Sequence, residues 1–425
     1  MLINEKTWEF IRQHANDDVR KLALQGVKDK EIDLQMALQQ IAGRQTARRK
    51  LPSWAEVEGI VYPPHLNMEQ CSSEQTARYK AGLVMGDRCW VMGDRCWVLG
   101  DGCWVMEDGM SFVDLTGGLG VDFYWISQGF RQRVYVEQNE QLCTISSHNF
   151  EVLSHECSVC CCDTETYLTT MPHASLVFLD PARRNEHGGR TYGIEDCSPN
   201  VLELLPLLME KADRVMLKLS PMFDWRKAVE DLKYVSEVHI VSVDNECKEL
   251  LLLLDKVQNE NLRLVCVNND HVFDTVRTRR TRSSLPTDSE SAPYGQITGR
   301  ALSDNWSCLY EPNASIMKAG CFREIEERFP VRQVSDNSHL FLSSVEIADF
   351  PGRRFQVLSI SSMNRQELRS ALQGMERANI SVRNFPMSVD QLRKKLKLKD
   401  GGEVYIFATT MADGEHRLLI CRKIG

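Results

Sequence analysis

The chemistry most legible in this chain lies in four acidic residues and a run of glycines. Asp114-Leu-Thr-Gly-Gly-Leu-Gly120 follows an apolar stretch, Ser111–Leu115, and precedes a helical one. Glycines at such a strand-to-helix turn let the backbone turn tightly and approach a ligand closely. By itself the turn suits a nicotinamide, a flavin or a methyl donor. Three later segments narrow the choice. Glu137 ends a second strand-like stretch, where a carboxylate can accept both hydroxyls of a ribose. Asp163 ends a third, where it can meet an adenine amino group, and Asp180-Pro-Ala-Arg183 ends a fourth. In an open parallel sheet these strand ends converge on one crevice.

The elements that must position these groups follow from periodicity. From Ser111 onward, strand and helix patterns alternate. Strands are expected at Ser111–Leu115, Arg133–Glu137, Ser158–Asp163, Ser175–Asp180 and Arg214–Leu219, with a helix over Asn139–Leu153. Alternation of this kind calls for an α/β fold with a parallel sheet. Val235–Val243, Leu250–Asp255 and Leu262–Val267 continue the strands without a helix between them, which suggests an antiparallel edge. Leu250–Leu254 reads as a strand buried on both faces, far short of the ~20 residues of a membrane helix.

Before the sheet, residues 1–65 read as a helical extension. Trp8, Ile11 and His14 form one stripe, Ile32 to Ile41 a second stretch, and Asn16-Asp17 a helix start between them. Arg44, Arg48, Arg49 and Lys50 read as a solvated helix end, with an RNA contact the alternative. Val84–Trp90 recurs at Val91–Trp97 and, altered, at Val98–Trp104. A period of seven would flip faces on a strand, so the repeat reads as a duplication in a loop, and Cys89, Cys96 and Cys103 as no metal site. Cys157, Cys160, Cys161 and Cys162 contain a CxxC that no second pair answers, which favours packed core thiols over zinc. Met1–Phe10 carries Glu5, Lys6 and Glu9 and no apolar run. With fifteen cysteines in the chain, this points to a reducing cytoplasm. No membrane or metal partner is expected.

After the sheet domain (66–274), Thr275–Ser291 reads as a linker into a small mixed, ferredoxin-like module that ends at 350; residues 351–425 form a last α+β module. Strands are expected at Phe355–Ile360, Ile380–Asn384, Glu403–Thr410 and Arg417–Lys423, the last two joined through Asp413-Gly414. Asn364 with Glu367, and Ser388 with Gln391, read as capping boxes. The net charge of −8 hides a split. Residues 353–425 hold 14 Lys and Arg against 7 Asp and Glu, a net +7, which leaves −15 for the rest. A basic module on an acidic body suits one acidic partner.

The ordered set from Asp114 to Asp180 resembles the class I S-adenosylmethionine (SAM) dependent methyltransferases over about 65–270, in a Rossmann-like sheet. Thr116 stands where the family's loop has its first glycine. The resemblance implies that Asp114, Thr116, Gly117, Gly118, Gly120, Asp122, Glu137 and Asp163 bind SAM. Glu69-Gln-Cys-Ser-Ser-Glu-Gln-Thr-Ala77 is similar to the element covering the methionine end of SAM in many nucleic-acid amino methyltransferases. That adds Gln70, Ser72 and Ser73 as contacts, although Ser72 or Ser73 would equally serve as a helix N-cap. Asp180-Pro181 is similar to the motif of enzymes that methylate base nitrogens: Asp180 and a carbonyl near Pro181 would hold the amine in line with the methyl group. Orientation of that kind can lower a barrier by ~7–11 kcal/mol. The motif's usual aromatic is missing, so Tyr192, Phe223 or Trp225 is a candidate stacking platform. Arg183 and Arg184 would pin a phosphate or pair with Glu195 and Asp196. Methylation at pyrimidine C5 would need a nucleophilic cysteine. The fifth strand ends Lys218-Leu-Ser-Pro221 without one, and Cys247 reads as a strand cysteine, so nitrogen methylation leads.

The tail resembles the THUMP-like domain of a bacterial methyltransferase group, through Phe350-Pro-Gly-Arg-Arg-Phe355, Val382-Arg-Asn-Phe-Pro-Met387 and Leu392–Lys399. Lys50-Leu-Pro-Ser-Trp54 and Tyr310-Glu-Pro-Asn313 fit the same group. That resemblance implies binding of RNA, tRNA or rRNA. Arg393, Lys394, Lys395, Lys397 and Lys399 would form the cluster on one short helix, with Arg277, Arg279, Arg280 and Arg282 extending it. The expected function is N-methylation of an RNA base. Its alternatives are a methyltransferase acting on a protein or small molecule, or a non-catalytic RNA-binding protein that keeps the fold.

Overall fold

The computed structural model describes residues 3–85, 90–92, 95–97, 109–183, 193–257, 260–278 and 306–424. The chain divides into two compact units, Met1–Glu237 with Leu250–Asn259, and Val238–Glu249 with Glu260–Gly425.

The first unit opens with helices α1 (Glu5–Gln13), α2 (Val19–Gln25), α3 (Leu34–Lys50), α4 (Pro52–Glu56), α5 (His65–Gln70) and α6 (Glu74–Met85). The start expected at Asn16-Asp17 lies at Asp18, whose carboxylate accepts the N–H groups of Arg20 and Lys21. Ile11, Leu22, Ala37 and Ile41 close the apolar faces of α1–α3 on one another. Trp54, Ile60, Val61 and Tyr62 then share a core with Leu119, Val121 and Ile145 of the sheet region, so the helices belong to the same body. Asn149 locks the junction by bonding both the N–H and the carbonyl of Val61.

The parallel strands are β1 (Ser111–Asp114), β2 (Gln132–Glu137), β3 (Ser158–Cys161), β4 (Ala174–Leu179) and β5 (Ala212–Leu219). β1 lies between β2 and β4, β3 flanks β2, and β5 flanks β4. Helices α7 (Val121–Ile126), α8 (Glu140–Val152), α9 (Thr164–Thr170), α10 (Val201–Lys211) and α11 (Trp225–Leu232) connect or follow them. Chain order reverses at β1, and in open α/β sheets the crevice for a ligand lies beyond the carboxyl ends of the strands at such a point. β6 (Val235–Val243) and β7 (Glu246–Asp255) follow, and Leu250–Asp255 runs antiparallel to β5, pairing Leu250 with Leu219. Leu250 to Leu254 are at most 2% exposed, as a strand covered on both faces requires.

Two expectations change here. The thiols on and around β3 are not a packed core: Cys161 is exposed, and Cys157, Cys160 and Cys162 are half-buried, because this strand ends the sheet. Within the repeat, Trp90–Met92 and Arg95–Trp97 pair as a short antiparallel ladder, not a plain loop; the remaining residues of 86–108 lie outside the described set.

In the second unit, β8 (Asn261–Asn268) and β9 (His271–Thr278) form a hairpin, so strand continues to Thr278 where a linker is expected from Thr275. A seven-stranded sheet follows. Its members are β10 (Cys308–Pro312), β11 (Arg332–Gln333), β12 (Phe341–Ser343), β13 (Gly352–Ser362), β14 (Asn379–Arg383), β15 (Val404–Thr410) and β16 (His416–Lys423). They lie in the order β11-β12-β10-β13-β16-β15-β14. Helices α12 (Ala314–Ala319), α13 (Phe322–Arg328), α14 (Arg365–Ala371) and α15 (Val389–Leu396) complete the unit. Ser388 and Gln391 make the reciprocal capping box. Asn364 caps α14, but Glu367 reaches the N–H of Ser362 instead of that of Asn364, so the second box does not close. Among the described residues, no helix is long and apolar enough to cross a membrane.

Candidate functional site

β1 enters the crevice with Phe112 and Val113 buried and ends at Asp114, itself 1% exposed. One Asp114 oxygen accepts the Thr116 N–H at 2.9 Å, and the other is buried without a hydrogen-bond partner. Burial raises this carboxyl well above the ordinary carboxylate range, despite the Thr116 N–H. The loop then turns through two left-handed residues, Gly118 at φ 57° and Gly120 at φ 82°. A Cβ on Gly117 would lie 2.1 Å from the Tyr135 ring, and one on Gly120 2.5 Å from Phe150. Gly118 differs. A Cβ there would meet only the Thr116 carbonyl, at 3.9 Å, so this is where the loop offers bare backbone to open space.

Glu137, at the end of β2, has both oxygens set by backbone donors. Oε2 accepts the Gly118 N–H and Oε1 the Asn139 N–H, each at 2.8 Å. Each carboxylate oxygen keeps a second acceptor position. Asp163 stands just past β3 as the N-cap of α9, with Oδ1 accepting the Thr166 N–H at 2.8 Å and Oδ2 the Thr166 hydroxyl at 2.7 Å. Those bonds hold its carboxyl below the ordinary range. At the end of β4 the Asp180 N–H donates to the Thr116 hydroxyl at 2.6 Å. Thr116 thus ties the glycine loop to the Asp180-Pro181 element.

Among the expected residues Ser72, Asp122 and Asp180 stand two lysines that sequence reasoning missed. Lys218 of β5 reaches Asp180 at 2.6 Å, Asp122 at 3.1 Å and the Ser72 hydroxyl at 2.9 Å. Lys80 of α6, fully buried, meets the other Asp122 oxygen at 3.1 Å, and Ser72 donates to Asp122 at 2.7 Å. Burial would raise the Asp122 carboxyl, but Lys218, Lys80 and Ser72 outweigh it and bring it down to about 2. Asp180 moves the other way: desolvation prevails over Lys218 and raises it, although its side chain keeps 36% exposure at the crevice rim. The available signal was a single lysine in each of two apolar runs, Val215-Met-Leu-Lys-Leu219 and Tyr79-Lys-Ala-Gly-Leu-Val84.

The remaining expected residues divide. Ser72 joins the charge cluster, Ser73 caps α6 through Thr76, and Gln70 is exposed at the end of α5. Phe223 and Trp225 are 4% and 5% exposed, packed away as core rings and not open as stacking platforms. Glu195 pairs with Lys227. The backbone of Arg183 pairs with Cys197, whereas Arg184 and Tyr192 lie outside the described residues. Cys247 is half-buried on β7, 3.5 Å from Ser242. Of the basic residues near the N-terminal helices, Arg44 bonds the Ala55 carbonyl, Arg48 the Asn16 side chain, and Lys50 the carbonyls of Met68 and Glu69. These bonds give the three a packing role.

In the tail, Lys394, Lys395, Lys397 and Lys399 are exposed. They do not share one helix, because α15 stops at Leu396 and Lys397 turns left-handed at φ 56°. Arg393 is held by Asp400. Arg277 bonds Glu324 at 2.6 Å and the Gly320 carbonyl at 3.2 Å, so it serves packing and does not extend a basic track; Arg279, Arg280 and Arg282 lie outside the described residues. A buried glutamate, Glu311 of β10, takes Arg353 and Arg383 from the two strands β13 and β14.

Residues 309–351 match a ferredoxin-like domain family and residues 352–423 the family described as THUMP domain-like. A crystal structure from Porphyromonas gingivalis W83, of a protein classed by inference as a methyltransferase, is 29% identical. The match covers 100% of both chains with a TM-score of 0.79. A class I SAM-dependent methyltransferase structure from Listeria monocytogenes, also classed by inference, shares 9% identity over 62% of this chain and 94% of its own, with a TM-score of 0.37. The tRNA (uracil-54, C5)-methyltransferase of Pyrococcus abyssi, in complex with S-adenosyl-L-homocysteine, shares 13% identity over 47% of this chain and 40% of its own, with a TM-score of 0.28. No curated protein matches the sequence. By fold, then, this chain matches over its whole length a structure classed by inference as a methyltransferase, and its C-terminal end carries ferredoxin-like and THUMP-like domains.

Proposed function

We propose that the chain methylates a nitrogen of an RNA base, in tRNA or rRNA, with SAM as the donor. The observation that carries this reading is the 2.6 Å bond from the Asp180 N–H to the Thr116 hydroxyl, which joins the glycine loop and the acceptor element into one frame. The residues present fit the donor. The unpartnered oxygen of Asp114 suits its ammonium group, the open backbone at Gly118 its close approach, and the oriented carboxylate of Glu137 its ribose hydroxyls. Asp163 keeps acceptor positions for an adenine amine beyond its capping bonds.

When bound, SAM supplies a methyl group made electrophilic by the sulfonium. The base nitrogen must present its lone pair along the S–C axis, so a new N–C bond forms as the S–C bond breaks. Asp180 accepts a hydrogen bond from the incoming N–H and, with the carbonyl near Pro181, orients the nitrogen. The proton leaves through Asp180 to solvent. Rate is gained chiefly through orientation. The exposed lysines at 394, 395, 397 and 399 favour a polyanion over a neutral peptide or metabolite.

The test has two stages. Calorimetry should detect binding of SAM and of S-adenosylhomocysteine; absence of heat with both would remove the donor assignment. Labelled SAM with fractionated cellular RNA should then yield a labelled N-methyl base. Asp180→Ala should abolish transfer while SAM binding survives, and loss of both would strip Asp180 of the assigned role.

A further inference from the structure

We infer that Lys218 is a positioning residue for methyl transfer. It holds the Asp180 carboxylate ionised and aimed at the acceptor, and couples it to the donor side through Asp122. The inference rests on the function proposed above and extends it to a residue that no motif marks.

The geometry is specific. Lys218 Nζ stands 2.6 Å from Asp180 Oδ2, 3.1 Å from Asp122 Oδ2 and 2.9 Å from Ser72 Oγ, so among the described residues three acceptors meet on one ammonium. They come from three separate places. Asp180 follows β4, Asp122 opens α7 directly after the glycine loop, and Ser72 precedes α6. Lys80, also on α6, occupies the remaining Asp122 oxygen at 3.1 Å and donates to Ser72 at 3.3 Å. Asp122 is therefore shared between two cations, while Lys218 is the cation in contact with Asp180. Among the described residues, the charged groups facing Asp180 are Lys218 from β5, Lys80 from α6, Asp122 from α7 and Asp114 from β1. Loss of Lys218 would take away the cation in contact with Asp180, and Lys80 meets Asp122 instead. A carboxylate near another takes up a proton more readily, and an opposite charge in contact opposes this. A protonated Asp180 would donate where it must accept and would no longer draw the base N–H.

The arrangement also places a limit on movement. Lys218 is 9% exposed and held at three points, so the Asp180 carboxylate it grips has little freedom to rotate away from the crevice. Ser72 brings the segment before α6 into the same network, so that segment and the acceptor carboxylate are set by one cation.

The test compares the full-length wild type with Lys218→Met, and with Lys218→Gln, which keeps the length and a hydrogen-bonding end should the methionine variant fail to fold. The first readout is the Asp180 titration, followed by carbon-13 NMR of labelled aspartate carboxyls and assigned by difference from Asp180→Asn. Its midpoint should rise by at least about one pH unit, a tenfold weaker hold on the ionised form. The second is the Kd for SAM, which should stay within about threefold. Where RNA transfer is measurable, the acid limb of kcat/KM should move up by the same amount, with Lys218→Arg recovering part of the wild-type profile. An unmoved Asp180 midpoint overturns the inference, and so does a tenfold loss of SAM affinity, which would make Lys218 part of the donor pocket. If the wild type itself transfers no methyl group to RNA, the proposed function falls, while the titration still decides whether Lys218 controls Asp180.

Discussion

The backbone N–H of Asp180 donates to the side-chain hydroxyl of Thr116 across 64 residues of sequence, at 2.6 Å. A glycine at position 116 would leave that half-buried N–H without this acceptor. Losing one partner of such a bond costs about 1–3 kcal/mol. Thr116→Gly and Thr116→Ala should therefore lower stability in denaturant titrations by that order, while Thr116→Ser restores most of it. Equal stability of all four proteins would show that the bond contributes nothing.

Asp114 carries the opposite balance. Its folded carboxyl is raised by burial, so the native state binds its proton more tightly than the unfolded chain does. The group therefore stabilises only at acid pH, and as pH rises through the folded value the cost of ionising it in the core appears. Asp114→Asn keeps an acceptor for the Thr116 N–H and removes the charge. Unfolding at neutral pH should show unchanged or higher stability, whereas SAM affinity by calorimetry should fall at least about tenfold. A less stable variant that binds SAM normally would reverse the assignment.

Two adjacent glycines should fail in different ways. Gly117→Ala drives a Cβ to 2.1 Å from the Tyr135 ring and should destabilise the sheet by about 1–3 kcal/mol or more. Gly118→Ala meets open space but must hold φ 57°, a cost of about 1–2 kcal/mol, and its methyl points where a ligand would approach. Its larger effect should be on SAM affinity. Paired melting and calorimetry separate the two, and identical profiles for both variants would refute the distinction.

His155 is 8% exposed, contacts Ser127 at 2.7 Å, and is pushed by burial down to about 4. A histidine whose folded value lies below its unfolded one near 6.5 stabilises the fold above that pH and loses the contribution as pH falls toward 4. The loss should be on the order of 3 kcal/mol across that window. His155→Gln should flatten this part of the pH–stability curve. A slope unchanged in the variant would assign the acid sensitivity to another group.

The tail lysines should act through phosphate alone. Converting Lys394, Lys395 and Lys397 to Ala should reduce the salt slope of tRNA binding by about 2–3 units, at roughly 0.7–0.9 per phosphate contact, and leave SAM affinity unaltered. Filter binding over a salt series measures it; a slope equal to that of the wild type would leave these lysines as solvated surface.

Much of the sheet was readable because local pattern and fold agree. Apolar runs set β1, β2 and β4, and a polar residue or glycine marks where each strand must stop. Ser388 with Gln391 closed its capping box because both partners lie within one turn. Glu367 did not, because the Ser362 N–H at the end of β13 competes for the same carboxylate. Lys397 illustrates the same limit: charge spacing suggested one helix, yet the chain turns left-handed there and Leu398 packs into the core.

What the amino-acid order determined alone was the sequence of strand ends, Asp114, Glu137, Asp163 and Asp180, and hence the kind of crevice that parallel strands would build around them. Tertiary structure decided the charges beneath it. Lys218 meets Asp122 from 96 residues away and Ser72 from 146, distances at which no spacing rule operates. Only packing three elements around one ammonium makes a lysine inside an apolar strand affordable, since a buried charge persists where opposite charge and hydrogen bonds surround it.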